Sequence, residues 1–432
     1  MENYKVFNAT NILIPNVEDK TSFSVIACDQ FTSEIEYWNE LESLVKNKPS
    51  LLNCILPEIY LEDNLEKRVE KINQNIVNYF NEGVFKSLEK GFILTVRKTA
   101  FVEKRIGLIG AIDLDCYSYK KGEKPLVRAT EGTIEERIPP RLKIRKDAEI
   151  EFPHIMVLFD DENKEITEKL YENRANYQKI YDFDLNMGGG HVEGYFINDY
   201  SEIEKAFNKL LEEKRLISKY GYADKFMFAV GDGNHSLATA KTHWENLKKS
   251  LTEEEIKTHP ARYALCEVNN IYDEGIYFEP IFRFIKVDNK EAFLDGLKKV
   301  EASYYLTFGE EILPCKNQTA LPQSILNIDA FIKEFIAKNG GFVDYVHGEE
   351  NLKNLCKGAE NTIGILFDKL DKSDLFKYVS KNGSLPRKTF SMGEGIEKRY
   401  YLEGRKIKWL KFVNLVELLW QTPRLWRKLK AL

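Results

Sequence analysis

Two periods of hydrophobic and polar positions run along this chain. From residue 65 the apolar residues Leu65, Val69, Ile72, Ile76, Tyr79 and Phe80 recur at three- and four-residue steps, which places them on one face of an α-helix of about five turns. Gly83 and Gly91 punctuate the next stretch of chain. Residues 92–97 and 105–114 are rich in β-formers and joined by a short charged link, so they predict a hairpin. Strands are expected at 155–159, 226–230, 262–268 and 278–284, and a helix over roughly 201–216. Beyond about 285 the texture changes to shorter helices, the first in VDNKEAFLDGLKKV. The mixture predicts an α/β protein of the mixed α+β kind. At 432 residues the chain exceeds one typical core. Its texture suggests an N-terminal α/β region (1–120), a central core (121–285) and a C-terminal α/β region (286–432).

The stretch AVGDGNHSLATAKTHWENLK, residues 229–248, comes after the apolar run FMF and carries Leu237, Ala240, Trp244 and Leu247 at helical spacing. It therefore reads as strand, loop and helix. Gly-Asp-Gly-Asn is also the composition of an ordinary tight turn. At a strand-to-helix junction, however, the first N–H groups of the helix lack partners and, with the helix dipole, form an anion site. Gly233, Asn234 and Ser236 are then candidate phosphate contacts. Asp232 is a candidate metal ligand or proton acceptor, and His235 a candidate acid or base.

Basic residues cluster in two other places. RATEGTIEERIPPRLKIR (128–145) is either a solvated loop or an anion clamp, in which Arg128 and Arg137 with Thr130, Glu131 and Thr133 would face a phosphate or carboxylate. SLPRKTFSMGEGIEKRYYLEGRKI (384–407) reads equally as a solvated loop or as a second contribution to one anion site, through Arg387 and Lys388. The three glycines of GGGHVEGY (188–195) suit a hinge or a close approach to a ligand, with His191 as the polar candidate. His347, beside a turn in VDYVHGEENL, reads as a surface residue.

Charge narrows the partners. A net charge of −5 argues against a general nucleic-acid binder, which needs an excess of Lys and Arg. Six scattered cysteines without a C-x-x-C pair signal neither zinc nor a disulfide framework, so a reducing, cytoplasmic setting is expected. The N-terminus lacks a signal-peptide layout, and no apolar run approaches a membrane span. The stretch LVELLWQTPRLWRKLKAL, broken by Pro423, fits core or subunit packing better than a membrane-surface helix.

ACDQFTSEIEYW, CILPEIYL, RATEGTIEERIPPR, EFPHIMVLFDD, GGGHVEGY, GDGNHSLATAK, FEPIFRF, VDYVHGEENL, DKSDLF and LPRKTFSMGE occur in that order over nearly the whole chain. Together they resemble the family known as domain of unknown function 1015. The hallmark of that family, a strand followed by Asp-Gly-His-His-Arg and a helix, is similar to the Asp-Gly-His-Thr-Arg signature of free-serine kinase in the ParB-like superfamily, where the loop and helix start hold nucleotide phosphates. Asp232, Gly233 and His235 match it, whereas Asn234 and Ser236 replace a histidine and an arginine. The family's Pro-x-His-Arg is matched at Pro280 and Arg283, with Phe282 in place of the histidine. The resemblance implies a ParB-like nucleotide-binding core with Arg283 near the ligand.

The expected function is phosphoryl transfer or phosphate-ester chemistry on a small phosphorylated or anionic metabolite, with a nucleotide and Mg2+ as the implied cofactors. The alternatives are a regulatory module that binds such a ligand without turnover and, disfavoured by the acidic balance, a ParB-like nucleic-acid partner.

Overall fold

The computed structural model describes residues 4–409. The C-terminal stretch LVELLWQTPRLWRKLKAL therefore lies outside the described residues. The architecture is mixed α/β and is built on a large mixed sheet. Its strands run in the order Gln178–Leu185, Gly190–Ile197, Phe85–Lys98, Arg105–Asp113, Tyr263–Asn270, Met156–Phe159, Phe228–Asp232, Val127–Ala129 and Tyr117–Ser118. Phe228–Asp232 is parallel to Val127–Ala129 and antiparallel to Met156–Phe159.

Alternation along these strands feeds two faces. Phe92, Leu94, Leu108, Val157, Phe228 and Val230 belong to a core shared with Leu237, Ala240 and Trp244. Ile93, Ile109 and Leu265 point the other way, into a core with Trp38, Ile72 and Ile76. The helix Leu65–Asn81 and the antiparallel pair Phe85–Lys98 with Arg105–Asp113 form where the periodicity placed them. A second, smaller sheet contains Phe278–Lys286 between Thr362–Leu366 and Phe342–His347.

Three expectations are corrected. The segment 201–216 is two helices, Ser201–Lys209 and Glu213–Tyr220, the second ended by Gly221 at φ +81°. The C-terminal part is not limited to short helices, because Leu321–Asn339 spans 19 residues. The basic stretch 128–145 is not one loop. It begins inside the strand Val127–Ala129 and ends in the helix Ile138–Asp147, which carries proline in its first turn, where a missing N–H costs nothing.

Beyond the smaller sheet the chain returns across the large one. Phe390–Met392 pairs with the start of Phe278–Lys286, Tyr400–Tyr401 with Val25–Ile26, and Arg405–Lys406 with Ile150–Glu151. Buried arginines hold this returning strap. Arg97 donates to the carbonyls of Ile396, Glu397 and Lys398, and Arg105 to that of Glu397 at 2.8 Å. Arg399 bonds Glu267 at 3.0 Å and Glu403 at 2.6 Å.

Arg128 is a structural residue of the same kind. Its guanidinium makes two bonds to Asp224, at 2.7 and 2.9 Å, and lies over the ring of Phe226. Removing one partner of a buried pair leaves the other charge unpaired, so Arg128→Ala is expected to destabilise the fold by about 3–5 kcal/mol. Chemical denaturation measures this, and phosphate affinity measured below the transition should stay at the wild-type value.

Candidate functional site

The strand Phe228–Asp232 leads into Gly233, whose φ is +76°. A Cβ at this position would also meet the Ile155 backbone at 3.0 Å, so only glycine fits. The helix Asn234–Lys248 starts at once without a side-chain cap, which leaves the N–H groups of its first turn for solvent or a ligand. Leu237, Ala238, Ala240 and Trp244 bury its inner face. The helix start opens on a cavity of about 460 Å³.

Segments distant in sequence wall this cavity: Asp29, Gln30 and Thr32; Glu58; Glu131, Gly132, Arg137 and Arg141; Gly231 to Ser236; His347; and Arg387, Lys388, Ser391 and Lys398 from the strap. Glu131, Arg137, Arg387 and Lys388 thus line one cavity with Asp232, Gly233, Asn234, His235 and Ser236. The strap is tied in place here, since the Leu385 N–H donates to the Thr130 carbonyl at 2.7 Å and the Lys388 N–H to Glu131 Oε1 at 3.2 Å.

Other expected contacts lie elsewhere. The Thr130 hydroxyl donates to the Val230 carbonyl at 2.6 Å and is buried. Thr133 does not line the cavity. Arg128 is committed to Asp224. Arg283 is fully buried, bound to Asp329 at 2.9 and 2.7 Å and donating to the Lys388 carbonyl at 2.8 Å. It supports the strap from behind instead of reaching a ligand. His191 sits on the outer hairpin between Asp182 and Asp184, at 2.8 and 2.7 Å. The glycines before it form the hairpin turn, with Gly188 at φ +76° and Gly190 at φ +85°. Asp182, His191 and Glu193 could together hold a metal ion, but Lys179 stands 2.6 Å from Asp182 and 3.6 Å from Glu193.

Charge in the cavity is divided unevenly. Glu58 pairs with Arg141. Lys398 Nζ lies 3.4 Å from Asp232 Oδ2, a buried oxygen with no hydrogen-bond partner among the described residues, and donates to Ser391 Oγ at 3.1 Å. Arg137, Arg387 and Lys388 have no carboxylate ion pair among the described residues, so an anion would find cations not already neutralised. Burial pushes the Glu131 carboxyl up against the opposing charge of Lys388.

His154, missed in the sequence, lies beneath the floor. Its Nδ1 is 2.6 Å from the Tyr401 hydroxyl, and its Nε2 is 3.5 Å from Asp29 and 3.4 Å from Ser236 Oγ. Burial disfavours the charged form of both partners, yet their mutual attraction outweighs it, raising His154 and holding Asp29 well below the usual carboxylate range. Lys398 and His347 were also missed. The first is set in a turn-rich polar stretch, and the second carried only the signal of a histidine before a glycine.

His235 is of the opposite type. Burial, then the charges of Arg141, Arg137 and Arg387, push its imidazole down to about 4. Its Nε2 accepts the Ile134 N–H at 3.3 Å, which assigns the ring proton to Nδ1. At neutral pH it is an uncharged donor in a cationic setting.

The chain belongs to the family of proteins of unknown function DUF1015, whose family model matches residues 13–384. No curated protein matches it. Among solved structures it is similar to free serine kinase in complex with AMP (10% identity, 69% of this chain and 90% of the other, TM-score 0.36). It is also similar to a conserved hypothetical protein from Pyrococcus furiosus (11%, 69% and 94%, 0.33). C-terminally truncated SbnI from Staphylococcus aureus is a third (10%, 72% and 93%, 0.35). Among the described residues no helix is long and apolar enough to cross a membrane.

The surroundings of His235 make a pH test. Without ligand, NMR titration should give its imidazole a midpoint near 4. Inorganic phosphate should move that midpoint upward, because a bound phosphate anion offsets the arginine charges. A midpoint near 6.5 that phosphate leaves unchanged would contradict this placement.

Proposed function

We propose that this cavity binds the phosphate of a small phosphorylated metabolite and carries out phosphoryl transfer or phosphate-ester chemistry on it. The observation that supports this reading is the meeting of Arg137, Arg387 and Lys388, without carboxylate ion pairs among the described residues, at the uncapped start of the helix Asn234–Lys248, beside two carboxylates, Asp29 and Asp232. Free arginine and lysine at a helix N-terminus suit a phosphate. The carboxylates next to them add repulsion in the ground state and suit a reacting centre better than simple storage.

In this reading Arg137, Arg387 and the first-turn N–H groups take the nonbridging oxygens and neutralise charge that develops on them. His235, neutral with its proton on Nδ1, donates a hydrogen bond. Asn234 and Ser236 add neutral contacts, which are weaker than those of the histidine and arginine they replace. Asp29, kept ionised by His154, accepts the hydrogen bond of an attacking hydroxyl or water and aligns it.

Mg2+ and a nucleotide donor belong to the proposal as well. A divalent ion bound by one or two carboxylates and the substrate phosphates would fall to Asp232, whose buried Oδ2 has no hydrogen-bond partner among the described residues and faces the Lys398 ammonium at 3.4 Å, which the ion would displace. When bound, it would supply charge neutralisation to the phosphates. A volume of about 460 Å³ accommodates a small metabolite.

Phosphorus NMR of the protein with phosphorylated metabolites, with and without ATP and Mg2+, should show release or transfer of phosphate. Asp232→Asn should lower that turnover by about 100-fold or more, as loss of a group acting in the transition state does. Arg387→Ala should weaken phosphate binding by about 1.5–3 kcal/mol, the scale of a bond to a charged group. Saturable phosphate binding without turnover of any compound would leave a sensor in place of an enzyme.

A further inference from the structure

A second chamber, of about 160 Å³, adjoins the polar cavity and shares Glu58, Arg141 and Ser236 with it. Its far wall is hydrocarbon: Ile72 and Ile76 from the helix Leu65–Asn81, Ile144 from the helix Ile138–Asp147, then Ala148, Ile150 and Phe152. Two polar pairs also line it and are engaged with each other, Arg145 with Glu151 at 2.6 Å and His154 with Tyr401 at 2.6 Å. The isoleucine and phenylalanine wall therefore offers apolar contact, and one buried donor beside it, Arg145 Nε, has no hydrogen-bond partner among the described residues.

Size limits what enters. An apolar protein cavity of roughly 150 Å³ lined by leucine, isoleucine and phenylalanine takes up benzene; this chamber matches it in volume, and its wall of Ile72, Ile76, Ile144 and Phe152 offers the same kind of contact. Arg141 stands at the junction, bound to Glu58 and to the Arg137 carbonyl at 2.7 Å.

We infer that the substrate is amphiphilic: a phosphate ester whose compact apolar group, about the size of one phenyl ring, fills this chamber while its phosphate lies among Arg137, Arg387 and the helix start. The inference rests on the phosphate reading of the polar cavity and adds the substrate class. It implies discrimination by the apolar end, since the chamber has no room for a second ring.

Isothermal titration with inorganic phosphate and with phenyl phosphate tests it. Phenyl phosphate should bind at least about tenfold more tightly, the scale of burying one ring. Ala148→Phe, which fills the chamber, should abolish that difference and leave inorganic phosphate affinity unchanged. Ile76→Ala creates space without overpacking and provides the test if the phenylalanine variant does not fold; it should move the preference towards naphthyl phosphate. With 4-fluorophenyl phosphate, nuclear Overhauser contacts should connect the ring to the methyl groups of Ile72 and Ile144. Equal affinity for inorganic and phenyl phosphate, or ring contacts elsewhere, would overturn this inference and leave the phosphate reading standing. Absence of binding by either compound would remove the phosphate reading, and this inference with it.

Discussion

Buried guanidinium groups fix the strap, and the strap completes the cavity. Arg97 and Arg105 donate to three successive carbonyls of residues 396–398, and Arg399 is enclosed by Glu267 and Glu403. These charged donors lie on or against the large sheet, in surroundings that exclude water, where leaving any of them unsatisfied is costly. The strap consequently has one favourable path. Because Arg387, Lys388, Ser391 and Lys398 all travel on it, the cation geometry of the cavity is set by a network that touches no ligand. Arg283 does the same from the smaller sheet, through the Lys388 carbonyl.

At and beneath the floor of the cavity, two histidines show how the same side chain takes opposite states. Both are desolvated, which disfavours charge. His154 faces Asp29 and is raised; His235 faces three arginines and is lowered. One stabilises a neighbouring carboxylate, and the other adds a neutral donor without adding to the repulsion among cations. The balance between arginine and carboxylate around each ring decides its role.

Local signals made much of this legible in the sequence. The helix Leu65–Asn81, the central antiparallel pair and the junction at Gly233 are written in periodicity, β-rich composition and glycine placement. The junction mattered most, because a glycine with positive φ and an uncapped helix start are properties of adjacent residues. Asp29, Glu58, His154 and Lys398 were not legible as cavity groups, since only tertiary packing brings them together. Arginine was the least readable residue. Arg137 and Arg387 face the cavity, whereas Arg128 and Arg283 are buried against Asp224 and Asp329, and nothing local distinguishes a guanidinium bound for a ligand from one bound for a carboxylate. The prolines before Arg141 were a missed cue, since proline in a first turn marks a helix start.

The strap has a consequence for the order in which this molecule is made. It lies C-terminal to the other walls of the cavity, and its partners Val25–Ile26 and Ile150–Glu151 belong to much earlier chain. Contacts of such large sequence separation form late, after the entropy of a long loop has been overcome. Local pairs of the large sheet, such as Phe85–Lys98 with Arg105–Asp113, can therefore form while Arg97, Arg105 and Glu267 still await their partners. A truncated or stalled product carries these charges uncovered and lacks Arg387, Lys388 and Lys398 for an anion. The wall formed by Arg387, Lys388 and Lys398 is therefore completed after the local strand pairs.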